Sequence, residues 1–140
     1  MSRTLSEQEA RELVSLGEVG HLGCIVDGDP YVIPINYVFE NDSVYSHSLP
    51  GLKIDAMRAH PRVVLQVEQI VDNFNWRSAL VYGHFEEIRV PSDRRTVLRK
   101  LTARFPLLTP VETQIAQDAS APDIIVFRIV VDRITGVAEK

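Results

Sequence analysis

Residues 21–48 read HLGCIVDGDPYVIPINYVFENDSVYSHS. The apolar run from His21 to Val26 is a strand, and Asp27-Gly28-Asp29-Pro30 is a hairpin turn, because Asp-Gly tolerates positive φ. Tyr31 to Phe39, YVIPINYVF, is the returning strand. It is apolar in both alternations, so it predicts protein cover on both faces. Pro34 inside it has no N–H to give to a ladder. An edge, a bulge, or something other than a strand must lie beside it. Asn41-Asp42-Ser43 turns the chain again, and Val44 to His47 is a third strand.

Upstream, Ser6-Glu7-Gln8-Glu9 is a capping box, with hydroxyl and carboxylate each satisfying a backbone N–H. Leu13, Val14 and Leu16 give the helix that follows an apolar side, and Gly17 stops it through the left-handed conformation open to glycine. Downstream, the spacing predicts a short helix over 52–59, stopped by Pro61, and an alternating strand over 62–68. Residues 69–75 read as a loop, and 76–89 as a long strand bent at Gly83. Pro91-Ser92-Asp93 opens a helix with Val97, Leu98, Leu101 and Phe105 on one side. Thr109-Pro110-Val111-Glu112 starts another, with proline at its first position. Asp123 to Arg133 is a final, β-branched strand. Strands joined by hairpins, with short helices between, predict a closed antiparallel barrel.

The 140 residues make one domain, 1–140, long enough to bury a real core. A net charge of −4 speaks against bulk binding of nucleic acid or an anionic membrane. Arg94, Arg95, Arg99, Lys100 and Arg104 are most simply the solvated face of one helix. Cys24 is the sole cysteine, which rules out an internal disulfide and a cysteine metal cluster. The N-terminus is not a signal peptide, and no apolar run approaches the ~20 residues of a membrane span. The expectation is a cytoplasmic protein.

Several chemistries leave no trace. There is no G-x-G-x-x-G, no G-x-x-x-x-G-K-[ST] and no G-x-S-x-G. His21, His47, His60 and His84 are too scattered for a zinc helix, so no metal is expected. Cys24 in an apolar strand reads as packing.

One constellation stands out. In YSHSLPGLKIDAMRAHPRV, residues 45–63, Ser46, His47, Ser48 and Lys53 surround a single helix start. Free N–H groups and the positive end of the helix dipole suit a phosphate there. Lys53 adds a full charge, and Ser46 and Ser48 add hydroxyl donors. The same residues also suit a plain helix cap, with Ser48 capping and Lys53 in solvent. His47 is either satisfied by a backbone carbonyl or placed to give up a proton near neutral pH.

Taken in order, these pieces resemble the pyridoxamine-phosphate-oxidase-like flavin-binding split-barrel family, and within it the nitroimidazole-resistance-related group. The resemblance is carried by Pro30, Tyr31, Pro34 and Tyr37; by Tyr45, His47, Ser48, Gly51, Lys53, Asp55, Arg58, Pro61 and Val63; by Tyr82 and Gly83; and by Ile134-Thr135-Gly136. It spans about residues 5–138. It implies a mainly β fold, a six-stranded antiparallel split barrel of the flavin-reductase and pyridoxamine-phosphate-oxidase type. It also implies a homodimer with FMN in a cleft between subunits; FAD, a deazaflavin or haem are the alternatives.

By position, Ile33, Pro34, Ile35 and Asn36 would line the isoalloxazine ring, and Ser46, His47, Ser48 and Lys53 the phosphate and ribityl chain. Trp76, Arg77 and Ser78 would reach the ring or the partner subunit, and His47 is the candidate catalytic group. Leu52 stands where pyridoxamine-phosphate oxidases carry an arginine, and their longer C-terminal region has no counterpart here. The implied activity is therefore FMN-dependent reduction of a small nitro-aromatic or quinone substrate, not oxidation of pyridoxamine phosphate. The alternative is a flavin or haem carrier without turnover.

Overall fold

The computed structural model describes residues 2–105 and 124–140. In chain order the elements are β1 (Ser2–Thr4), α1 (Glu7–Leu16), β2 (Val19–Val26), β3 (Asp29–Asn36), β4 (Val38–Glu40), β5 (Ser43–Ser48), α2 (Leu52–Ala59), β6 (Arg62–Asp72), β7 (Asn75–Glu87), α3 (Pro91–Arg104) and β8 (Ile125–Glu139). The helix start expected at 109–112, and Asp123 at the head of the last strand, lie outside the described residues.

All strand pairs are antiparallel, in the order β3-β2-β6-β7-β8-β5-β4, with β1 added alongside β8. The two ends of this path are consecutive in the chain. Asn36 ends β3, Val38 begins β4, and only Tyr37 lies between them. The sheet therefore closes on itself through the backbone and not through a ladder, which makes a split barrel. Six strands are long; β1 and β4, of three residues each, are the additions to the expected six.

The barrel interior is the main core, with Leu22, Leu65, Val81, Phe127 and Ile129 fully buried. Tyr37 is sealed in the same core, and its hydroxyl donates to the carbonyl of Val14 at 2.5 Å. This bond ties α1 to the joint that closes the barrel. A second cluster, Val97, Leu98, Leu101, Ile124 and Val126, lies between α3 and the outer face of β8.

Local details follow from residue chemistry. Ser6 and Glu9 form the expected reciprocal capping box. Gly17 ends α1 with φ −72°, so the left-handed conformation is not its reason for being glycine. A Cβ there would stand 2.3 Å from the Tyr37 hydroxyl, so close approach is the reason. Gly83 is similar: a Cβ would meet the Val130 carbonyl oxygen at 2.3 Å, at the register shift where Asp132 bulges out of β8.

Two strands run further than their patterns suggest. The β6–β7 hairpin extends through residues 68–75, exposed throughout, so neither face carries an alternation to read. β8 continues to Glu139 with Ile134, Gly136 and Ala138 turned inward, the last two small residues that barely mark a period.

Candidate functional site

α2 starts without a cap. Gly51 holds the N-cap position in an extended conformation, and no side chain bonds to the first turn. The first intrahelical bond runs from the Asp55 N–H to the Gly51 carbonyl. The N–H groups of Leu52, Lys53 and Ile54 precede it and face away from the helix body. A Cβ on Gly51 would meet nothing within 4 Å, so open space adjoins these donors. The hydroxyl of Ser48 does not cap the helix; it donates to the Leu49 carbonyl at 2.7 Å.

Lys53 is half-buried in the first turn of α2. Burial lowers its pKa from the usual lysine value, and the Cys24 thiol on β2 pulls it the other way. The same burial raises the pKa of Cys24, which Lys53 partly offsets. Among the described residues no carboxylate pairs with Lys53. A partly desolvated ammonium beside free N–H groups and open space is chemically incomplete, and an anion completes it.

The remaining predicted groups divide by face, because side chains alternate along a strand. Ser46 is buried, and its hydroxyl donates to the Asn36 carbonyl at 2.7 Å, holding β5 against the end of β3. Ser48 shares that face of β5. His47 lies on the other face, in register with Val126 of the α3 cluster. On β3, Ile33 and Ile35 turn into the core, while Pro34 and Asn36 are exposed on the outer face. Ile33 and Ile35 therefore offer a ligand no side chain, and their backbone groups alternate with those of Pro34 toward the ladder with β2. Among the described residues β3 pairs only with β2, so its other edge has no strand beside it.

Trp76 and Ser78 lie on the same outer face as Pro34, but on β7. Between them run β2 and β6, so β7 is three strand spacings, ~14 Å, from Pro34. Arg77 turns to the opposite face and donates to the Gln69 side chain at 2.7 Å. The structure thus joins Asn36 and Ser46 at the split of the barrel, places Lys53 beside Cys24 of β2, and holds Trp76 to Ser78 apart on the sheet.

Two side chains that sequence reasoning missed fill that gap. His21 on β2 stands opposite Pro34 on one side and Gln66 of β6 on the other. The Gln66 amide lies 3.0 Å from His21 Nδ1 and 3.0 Å from Ser78 Oγ. His21 and Gln66 are 45 residues apart, so only the strand register brings them together.

The outer face of β2, β3, β6 and β7 also carries a groove of about 380 Å³, lined by Gly23, Pro30, Val32, Val64, Tyr82 and Arg133. The guanidinium of Arg133 lies 4.0 Å from the Tyr82 ring centre. Among the described residues no cluster of His, Cys, Asp and Glu could hold a metal ion, and no helix is long and apolar enough to cross a membrane.

A family profile described as pyridoxamine 5'-phosphate oxidase matches residues 6–138. An uncharacterized protein of Rhizobium meliloti is 37% identical over 86 residues, 61% of this chain and 57% of that protein. The chain thus matches a little over half the length of that curated relative. Among solved structures, a FAD-binding protein from Mesorhizobium loti superposes with a TM-score of 0.83 at 30% identity, covering 100% of this chain and 99% of that one. A protein put forward as a 5-nitroimidazole antibiotic resistance protein of Bacteroides thetaiotaomicron gives 0.75 at 21% identity, covering 99% and 89%. That last likeness is one of fold.

Proposed function

This chain belongs to the pyridoxamine 5'-phosphate oxidase family, and on that premise we propose that it binds a flavin nucleotide and passes electrons through it to a small acceptor of nitro-aromatic or quinone type. One observation carries the reading: a half-buried Lys53 without a carboxylate partner among the described residues, at an uncapped helix start, with Cys24 of β2, the register partner of Tyr31 on β3, as its neighbour.

The residues present fit the group. The start of α2 and Lys53 would hold the phosphate, with Ser48 beside them. The pyrimidine edge of a flavin carries an N–H between two carbonyls. An open strand edge presents N–H and C=O groups in alternation, so β3 would bind that edge through its backbone. Pro34 removes one N–H from that edge and stacks a flat apolar ring there. The part-buried Ser46–Asn36 bond would keep β5 in register with the end of β3. A bound flavin supplies the redox chemistry; the protein supplies position and electrostatics.

FMN is the proposed form, because one lysine and one helix start match a single phosphate group. FAD, which the Mesorhizobium loti relative is described as binding, is the alternative. Leu52, 55% exposed, is the first residue of α2, where pyridoxamine-phosphate oxidases carry an arginine. Pyridoxamine phosphate is for that reason not the proposed substrate.

The proposal includes a homodimer. Val19, Val32 and Val137 are exposed on the outer face, 51%, 66% and 45%, and the apolar tip of the β6–β7 hairpin projects beyond it. Burying such a face against a second copy would remove it from water. A sedimentation mass of one chain at micromolar concentration would contradict this part.

Binding without turnover is the second reading. It is favoured by the placement of His47, the only imidazole between Ser46 and Lys53, on the face of β5 opposite the two serines. The test is to incubate the purified protein with FMN or FAD, remove free flavin, and record the absorption spectrum. A bound flavin reduced by NADH or NADPH and reoxidised over many turnovers supports the oxidoreductase. A flavin that stays bound but does not cycle supports the carrier. A colourless protein contradicts both.

A further inference from the structure

The His21–Gln66–Ser78 chain has a property that depends on proton count alone. As oriented, the Gln66 carbonyl oxygen faces His21 Nδ1 at 3.0 Å, and its amide nitrogen faces Ser78 Oγ at 3.0 Å. An amide oxygen only accepts, so Nδ1 must carry a proton. An amide nitrogen only donates, so Ser78 Oγ must accept, and its own proton is left for the outer face. Turning the amide over gives a second self-consistent arrangement. Nδ1 is then bare, Ser78 donates inward to Gln66, and Ser78 shows only lone pairs to the outer face.

A protonated His21 has no bare nitrogen, so it allows only the first arrangement. A neutral His21 allows both. The charged groups around the ring are few. On β6, Glu68 Oε1 lies 3.8 Å from Nδ1. On β3 the register partner is Pro34, followed on the same face by Asn36, both uncharged. On β7 the nearest member is Ser78 itself, reached through Gln66.

We propose that His21 is a proton-operated positioning residue: its protonation, relayed through the Gln66 amide, makes Ser78 a hydrogen-bond donor toward the cofactor cleft. Ser78 shares the outer face with Pro34 but stands three strands from it, so the flavin it would serve is the one held by the second copy in the homodimer, and this role rests on the reading given under Proposed function. The ligand atom it would serve is an acceptor, a ring carbonyl or ring nitrogen. Affinity for flavin then rises as pH falls through the His21 titration, by about two- to tenfold, the worth of one hydrogen bond.

The experiment measures FMN and FAD dissociation constants by flavin fluorescence between pH 5 and 8 for wild type, His21→Asn, Gln66→Leu and Gln66→Glu. The wild type is expected to show a one-proton step that both His21→Asn and Gln66→Leu abolish. Gln66→Glu is nearly isosteric, but its carboxylate can only accept. It forces Ser78 to donate inward, so it is expected to bind flavin more weakly with no step. A step that survives in Gln66→Leu, or wild-type affinity in Gln66→Glu, overturns the proposal.

The relay is also readable without cofactor. In flavin-free protein, nitrogen NMR of His21 should show Gln66→Glu shifting the neutral ring fully to the Nδ1–H form and raising its titration midpoint. Identical His21 titrations in the two proteins overturn the relay. If the wild type binds neither flavin while this NMR result holds, the flavin reading has failed and the relay stands.

Discussion

The hydroxyl of Ser46 donates to the carbonyl oxygen of Asn36 across 2.7 Å, inside a barrel that otherwise closes at that point through Tyr37 alone. This bond fastens β5 to the end of β3, the two strands that flank the candidate site. Ser46→Ala leaves a part-buried carbonyl without its donor. We expect a loss of about 1 kcal/mol in urea unfolding, with Ser46→Thr milder because it keeps the hydroxyl. An unchanged midpoint in Ser46→Ala would show that the bond does not hold the joint.

Lys53 gives a pH prediction with a definite sign. Burial holds its pKa below the usual lysine value, and a bound phosphate would favour the charged form and raise it. Binding FMN at high pH therefore takes up a proton, and affinity falls as pH rises through the lowered range of free Lys53. It also falls on the acid side, below the phosphate's second pKa near ~6. Lys53→Arg stays charged and should keep its affinity on the alkaline side, where wild type loses it. Fluorescence titrations from pH 5 to 10 check both limbs.

Gly83 is a packing prediction. Its Cβ would stand 2.3 Å from the Val130 carbonyl oxygen and 2.7 Å from Ile129 Cγ2. Gly83→Ala must push β7 and β8 apart at the bulge, at a cost of about 1–3 kcal/mol. Urea unfolding measures it, and a variant as stable as wild type would mean that the strands yield freely there.

The N-terminal cap should be visible in acid. Hydrogen bonding by Arg3, then by the Ser6 backbone, lowers the Glu9 pKa from 4.5 to about 2. A carboxylate depressed in the fold stabilises it fully above its unfolded pKa. That contribution drains away as pH falls from about 4.5 toward 2. Glu9→Gln should flatten the decline of the unfolding midpoint over this interval. Ser6→Ala should cost about 1 kcal/mol at neutral pH.

Much of the fold is legible in the sequence because most elements have one buried face. The Asp-Gly turn, α2 and the alternation of residues 62–68 are examples. The hairpin tip is not legible: Ile70, Val71 and Phe74 are all exposed, so burial left no pattern there. The proposed phosphate end of the site could be read from the sequence because Ser46 to Lys53 are neighbours in the chain. What the sequence hides is direction. Nothing in YSHS says that Ser46 is bonded inward to Asn36, or that His47 faces the other way. The His21–Gln66–Ser78 chain is hidden more deeply, since it exists only once β2, β6 and β7 are in register.

The central claim is a phosphate held by Lys53 and the start of α2, and comparing FMN with riboflavin isolates it. The two ligands share the ring and differ in the phosphate. Wild type should bind FMN about 10- to 100-fold more tightly, the worth of a charge-assisted hydrogen bond. Lys53→Ala should lose most of that preference while binding riboflavin as wild type does. Equal affinity of wild type for the two ligands, or an unchanged preference in Lys53→Ala, would contradict the assignment.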